Sequence, residues 1–276
     1  DALYLRNYGQ MNVRDDLLRL PGMGSVILFG ALGEILTERS GNLNLGVPGI
    51  MYLGGIAGLM SAFFYEASTP TPSPIAGLVI SLVCAFAAAA LGGLIFSFLT
   101  ISLRANQNVT GLTLTIFGGG VANFFGGSLN KLAGGVGQIS VAATSSAYRA
   151  TTPLNNLGSV GKLFFSYGFL AYAAIILAVA LYFFLNKSRR GLNLRAVGEN
   201  PGTADAAGIN VTRNKYLATC IGSGISGLGG LYYVMDYTKG TWANDGGLEA
   251  LGWLAVALVI FATWKPIGAI WGSYLF

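Results

Sequence analysis

Long stretches of this chain carry no charged side chain, and their lengths set the first expectation. Ile75–Leu103 runs for 29 residues and Leu163–Leu185 for 23 without Asp, Glu, Lys or Arg. At about 1.5 Å of rise per residue, roughly 20 helical residues cross a hydrocarbon core about 30 Å thick, so both are long enough to span it. Ser40–Tyr65, Ala105–Asn130 and Tyr216–Met235 are also charge-free and long enough. Gly22–Leu36 and Ala250–Trp264 are shorter apolar candidates, each followed by charge. A membrane barrel would instead alternate apolar and polar residues over segments of about 10, which these runs do not do. A signal peptide would account for one apolar run at the N-terminus and none of those downstream. The pattern predicts an all-α polytopic membrane protein of about 7–9 membrane segments, folded as one domain over residues 1–276.

Composition agrees with that class. Of 276 residues, 53% are hydrophobic and 10% charged, where a soluble domain has about 25% charged. The first residue, Asp1, is no natural start, and "WGSYLF" ends the chain inside an apolar run, so both ends are expected to continue in a longer protein.

Charge supplies an orientation. Residues 186–215 hold Lys187, Arg189, Arg190, Arg195, Arg213 and Lys215 against Glu199 and Asp205, a net +4 out of a chain total of +5. Short loops rich in Lys and Arg stay cytosolic, so 186–215 is expected to face the cytosol. Counting outward from it places 66–74, 131–162 and 236–249 outside. The last of these carries a net −2, and the prolines of "EASTPTPSP" suit an exposed extended loop.

Several chemistries are excluded or weakened. The chain has no histidine, and Cys84 and Cys220 each sit within an apolar run. No zinc, haem or other metal site, no disulfide framework and no nucleophile–base constellation is therefore expected. There is no G-x-x-x-x-G-K-[ST] phosphate loop, so the chain has no ATPase site of that kind. "GSGISG" at 222–227 has the spacing of a dinucleotide fingerprint. It lies in the middle of a charge-free run with no strand before it, so packing glycines are the better reading. Asn108 and Asn210 head N-x-T triplets at expected cytosolic ends, which argues against glycosylation.

Three polar stretches interrupt the apolar ones. In "GEILTERSGNLNLGVPG" (33–49), Glu34 and Glu38 stand one helical turn apart, within or beside membrane depth, and an unhelical "SGN" follows. Acids at that depth face a cavity or a partner, which points to a broken helix whose unwound backbone borders a substrate path. The plainer reading is a Glu38–Arg39 pair at the membrane surface. In "RANQNVTGLTLTIFGGGVANFFGG" (104–127), Asn106, Gln107 and Asn108 open an apolar run that holds Phe124 and Phe125 near its far end. Amides hydrogen-bond heterocycles and sugar hydroxyls, and aromatic faces stack on bases. The alternative is helix capping by Asn106 or Asn108 beside lipid-facing phenylalanines. Glu38, Asn42, Asn44, Asn106, Gln107, Asn108 and Phe124 are thus the candidate path residues.

The third stretch is "RAVGENPGTADAAGIN" (195–210). It reads as a turn at Asn200-Pro201, a short helix over Thr203–Ala207 with Thr203 as a further cap candidate, and a stop at Gly208. A helix this rich in alanine, parallel to the membrane, presents a small-residue ridge for docking into another protein.

"LTERSGNLNLGVPGIMYLGGIAG" (36–58), "NQNVTGLTLTIFGGG" (106–120), "LRAVGENPGTADAAGINV" (194–211) and "WKPIGAIWGSYLF" (264–276) together resemble the membrane permease of a bacterial ATP-binding-cassette (ABC) importer. The resemblance is to the nucleoside and riboflavin branch, related more distantly to ribose-type sugar permeases. It departs from that family at Pro48, where an acidic residue is common. The resemblance implies a permease in the bacterial cytoplasmic (inner) membrane, with the loop around 186–215 carrying a coupling helix onto the ATPase. Arg195, Glu199, Asn200, Pro201, Ala204, Ala207 and Gly208 are the residues it assigns there. The implied partners are a second, different permease chain, a cytosolic ABC ATPase that holds ATP and Mg, and an extracytoplasmic substrate-binding lipoprotein. No cofactor on this chain and no nucleic acid are implied. The competing class is a proton-coupled secondary transporter that uses Glu34 or Glu38.

Overall fold

In lipid no water satisfies the backbone, so the apolar runs must form helices. In the computed structural model, which describes residues 14–132, 139–150, 167–243 and 246–275, they do. The helices are α1 (Arg14–Glu38), α2 (Val47–Ser68), α3 (Pro74–Ser97), α4 (Gln107–Leu132), α5 (Ala142–Tyr148) and α6 (Phe169–Lys187). They continue as α7 (Arg189–Glu199), α8 (Pro201–Ala206), α9 (Val211–Tyr232), α10 (Gly247–Phe261) and α11 (Pro266–Leu275). Single π-helical turns extend α3 through Ser102 and α9 through Tyr237. Five of these helices, α2, α3, α4, α6 and α9, are long and apolar enough to cross a membrane, and α10 is a shorter apolar helix. Among the described residues the fold is the expected all-α polytopic one, with five candidate spans where about 7–9 membrane segments were expected.

Boundaries moved where charge had seemed to end a run. The apolar stretch 22–36 lies inside a longer helix, Arg14–Glu38, and 250–264 became Gly247–Phe261 followed by a turn. Pro48, Pro74 and Pro201 all sit in first turns, where the missing N–H costs nothing. The expected loop 131–162 falls partly outside the described residues; its described part contains α5.

The innermost helix is α9, packed against α1, α2 and α3. In its most apolar window 78% of residues are buried, against 28% in α3, which turns Ile75, Val79, Val83 and Leu91 outward. Glycine makes that central position possible. A methyl group at Gly55 would lie 3.0 Å from the Gly230 carbonyl oxygen, and one at Gly54 would meet the Gly227 backbone at 2.5 Å. Between apolar helices in lipid, close backbone approach of this kind takes the place of a hydrophobic driving force. "GSGISG" is therefore a packing surface, with Gly222 against Gly33 and Gly224 against Phe86.

Contacts sort the connections into two ends. At one end Glu66 accepts the Thr144 N–H at 2.7 Å, Val141 N donates to Gly240 at 3.1 Å, and Tyr148 stacks on Phe169. At the other, Ser102 meets Tyr216 at 2.6 Å, Gln107 holds Leu43, and Arg39 reaches Trp264. This second end also carries 186–215, and is called here the basic face.

Candidate functional site

The break between α1 and α2 is real, and buried residues alternate along it with exposed ones. After Glu38 the chain turns at Gly41 (φ 85°) and runs back beside the last turns of α1. Non-helical backbone at such depth needs partners, because an unsatisfied N–H in lipid costs several kcal/mol. Side chains supply them. Glu34 accepts the Asn44 N–H at 2.8 Å, Gln107 accepts the Leu43 N–H at 2.9 Å, and Asn44 Oδ1 accepts the Gly46 N–H at 2.9 Å. Thr115 donates to the Leu45 carbonyl at 3.2 Å, and Asn42 Nδ2 donates to Thr219 at 3.1 Å.

The candidate path residues thus separate. Asn42 and Asn44 are 1% exposed; Asn44 is spent on the break itself, while Asn42 ties it to Thr219 of α9 and its buried Oδ1 has no hydrogen-bond partner among the described residues. Glu34 is also 1% exposed and braces the same backbone. Glu38 and Arg39, paired with each other in the plainer reading, both turn to Trp264. The Trp264 Nε1–H donates to Glu38, and Arg39 Nη2 donates to the Trp264 carbonyl at 3.2 Å.

Asn106 caps α4, accepting the Val109 N–H at 3.2 Å, so the capping alternative describes its side chain. Asn108 and Phe124 are exposed on α4, with the Phe124 and Phe125 rings edge-to-face at 5.3 Å. With Val109, Ile116 and Gly120 they form one uncovered helix face, and a methyl group at Gly120 would meet nothing within 4 Å. The structure does not join this face to the buried amides of the break.

On the basic face, Asn200 caps α8 by accepting the Thr203 N–H at 3.0 Å, and Pro201 takes the first position. Asn200 and not Thr203 is therefore the cap, and the helix lies two residues earlier than expected at its start. Gly208 (φ 80°) reverses the chain, with the Ile209 N–H closing onto the Ala204 carbonyl at 3.0 Å. One expectation is corrected: Ala204 is 3% exposed and packs into this chain, so it offers nothing to a partner. The exposed residues are Pro201, Gly202, Thr203, Asp205, Ala206, Ala207 and Gly208. Of the six residues of α8, Ala204 alone faces inward, and the rest of this short helix is free.

Beside the end of α7 lies a cavity of about 200 Å³ lined by Glu38, Arg39, Arg195, Gly198, Glu199 and Trp264. Arg195 approaches Glu199 at 3.8 Å and donates to Asn186 at 3.2 Å. Burial lowers the Arg39 pKa, Arg195 adds to this and Glu199 opposes it; an arginine keeps its charge regardless. The Trp264 contacts had no signal in the sequence, since 226 residues separate it from Glu38.

Residues 17–276 match the family described as branched-chain amino acid transport system / permease component. The chain belongs to this permease family. A candidate glucose ABC transporter permease, TsgC13 of Haloferax volcanii, is 36% identical over 91% of this chain and 71% of its own length. Guanosine ABC transporter permease NupQ of Bacillus subtilis is 34% identical over 91% and 75%, and nucleoside ABC transporter permease NupC of Lactococcus lactis is 31% identical over 91% and 76%. Each of these organisms has a second such permease that matches less well, at 23–26% identity. No solved structure gives a significant match. The chain is a multi-pass membrane protein and, by family, a permease subunit of an ABC transporter.

Proposed function

We propose that this permease forms half of the translocation pathway of an ABC importer for a nucleoside-like small molecule, driven by a separate ATPase. The observation that carries the reading is α8, a capped, exposed helix on the basic face, anchored by Ala204 and ended by a left-handed glycine. It is built to bear on another protein, and in a permease the partner on the cytosolic side is the motor. Asn200 and Pro201 set its start, Gly208 its end, and Ala206 and Ala207 its contact. The ATPase carries ATP and Mg, and this chain binds no cofactor of its own.

The second permease chain is of a different kind, since relatives in three organisms come in unequal pairs and this chain favours one member of each. Substrate would pass along the uncovered face of α4, where Asn108 and Phe124 lie, between the two permeases. A lipoprotein delivers it from outside the cytoplasmic (inner) membrane. Glu34 and Glu38 brace the break and the Trp264 turn, which favours this reading over a proton-coupled carrier that needs one of them free.

Two of the three relatives named above are called guanosine or nucleoside permeases, which supports nucleosides; the 36% identity to a candidate glucose permease supports a hexose as the second reading. Competition separates them. In cells expressing the whole importer, excess guanosine should abolish uptake of labelled adenosine and glucose should leave it intact. Glucose uptake that nucleosides fail to inhibit would reverse the order.

Orientation has its own test. A cysteine at Ser188 should react with an impermeant maleimide in inside-out vesicles alone, and one at Ser73 from outside alone; the reverse pattern overturns the cytosolic placement of α8.

A further inference from the structure

The turn between α10 and α11 has an unusual conformation and is braced by Glu38, the last residue of α1, and by Arg39 just after it. Thr263 and Trp264 both have positive φ, 51° and 54°. Side chains rarely adopt that region, and for β-branched threonine it is an outlier that persists only where the surroundings over-determine it. The turn's own backbone bonds, Thr263 N–H to Ile260 at 3.0 Å and Trp264 N–H to Val259 at 3.1 Å, close it, and two bonds from the end of α1 add to them at Trp264. Glu38 accepts the Trp264 Nε1–H, and the Arg39 guanidinium donates to the Trp264 carbonyl at 3.2 Å.

The same two residues touch the approach to α8. Any side chain at Gly198 would strike the Arg39 carbonyl, and would reach Gly41 N at 3.1 Å. Gly198 lies two residues before Asn200, the cap of α8. Close contact therefore runs from α8 through Gly198 to Arg39, and from Glu38 and Arg39 to the Trp264 turn. Beside it sits the cavity of about 200 Å³, with Glu199 and Arg195 on one wall and Trp264 on the other. The space separates α7 from the Trp264 turn, while Arg39 touches both.

We propose that the Glu38–Arg39–Trp264 clamp is the positioning element that passes movement of α8 to the α10–α11 hinge, so that it sets how much substrate moves per ATP hydrolysed. This rests on the importer reading above. In a passive structural role the three residues would only hold the fold. In a linking role, breaking the clamp leaves the complex assembled and hydrolysing ATP while transport falls behind.

The test uses the full complex of both permeases, ATPase and binding protein in proteoliposomes, with uptake and ATP hydrolysis measured on the same sample. Trp264→Phe removes the indole donor and keeps the ring. Glu38→Ala removes the acceptor, and Glu38→Gln keeps an acceptor without the charge. A coupling free energy of ordinary size corresponds to about 5-fold or more, so Trp264→Phe and Glu38→Ala should each lower uptake per ATP by that factor. Hydrolysis and ATPase co-purification should stay near wild type. Glu38→Gln should restore the ratio, and the Trp264→Phe/Glu38→Ala double variant should be no worse than either single, because one contact is lost once. Wild-type ratios in both single variants, a Glu38→Gln variant as poor as Glu38→Ala, or equal loss of assembly and uptake would overturn the clamp. Wild-type complex that shows no ATP-driven uptake would instead overturn the importer reading, and leave the clamp a structural contact only.

Discussion

Replacing Gly230 with valine should prevent the bundle from assembling. A methyl group there would overlap the Met51 carbonyl oxygen and come within 2.7 Å of the Met51 carbonyl carbon and 3.1 Å of Gly55 N. All three are backbone atoms of α2, so no rotamer change relieves the clash. Overpacking a well-filled interior costs about 1–3 kcal/mol and occasionally more. The cost here sits near the upper end, because α9 is the innermost helix and touches α1, α2 and α3. Valine would also pry apart the neighbouring close approach of Gly54 in α2 to Gly227 in α9. Gly127→Ala is the control, because nothing lies within 4 Å of a methyl group there. The measurement is the yield of monodisperse protein in detergent. Gly230→Val should give little and Gly127→Ala a normal amount; normal yield from Gly230→Val would mean the α2–α9 crossing is wrong.

Replacing Ala207 with arginine should leave the permease folded and strip it of its ATPase. Ala207 is exposed at the end of α8 and the fold does not depend on it. A long cationic side chain there would overfill the contact and bury an unpaired charge, about 1–3 kcal/mol from overpacking before the charge is counted. That is roughly 5- to 150-fold in affinity. Ala206→Arg should behave alike. Ala204→Arg should not, because Ala204 is 3% exposed and the arginine would disrupt α8 itself, lowering yield. Co-purification of the ATPase, compared with permease yield, separates the two kinds of failure. Normal ATPase recovery with both Ala206→Arg and Ala207→Arg would mean that α8 is a linker.

The length of the charge-free runs, the charges and the turn residues made the helices, the short helix α8 and the break at 39–46 legible, because each of these is a local property of the chain. "ENPGTADAAGI" spells a cap, a proline and a left-handed stop in consecutive residues. What stayed illegible was long-range. Asn44, Gln107 and Glu34 look like ligand-binding groups in an apolar sequence, yet their partners are backbone N–H groups of the break, and Gln107 meets Leu43 across 64 residues. Polar residues at membrane depth have two uses, to bind a substrate or to satisfy unwound backbone, and composition does not tell them apart. Ala204 and Ala207 are likewise equivalent by residue type; only the packing of α8 on the rest of the chain decides which one faces outward.

The measurement closest to the central claim is the energy source of uptake. Proteoliposomes holding this permease, its partner permease and the ATPase, with substrate-loaded binding protein outside, should accumulate nucleoside only when ATP is enclosed. A protonophore should have no effect, and Ala207→Arg should abolish accumulation. Accumulation driven by an imposed proton gradient without ATP, and lost on Glu34→Gln, would contradict an ATP-driven permease and make this chain a proton-coupled carrier.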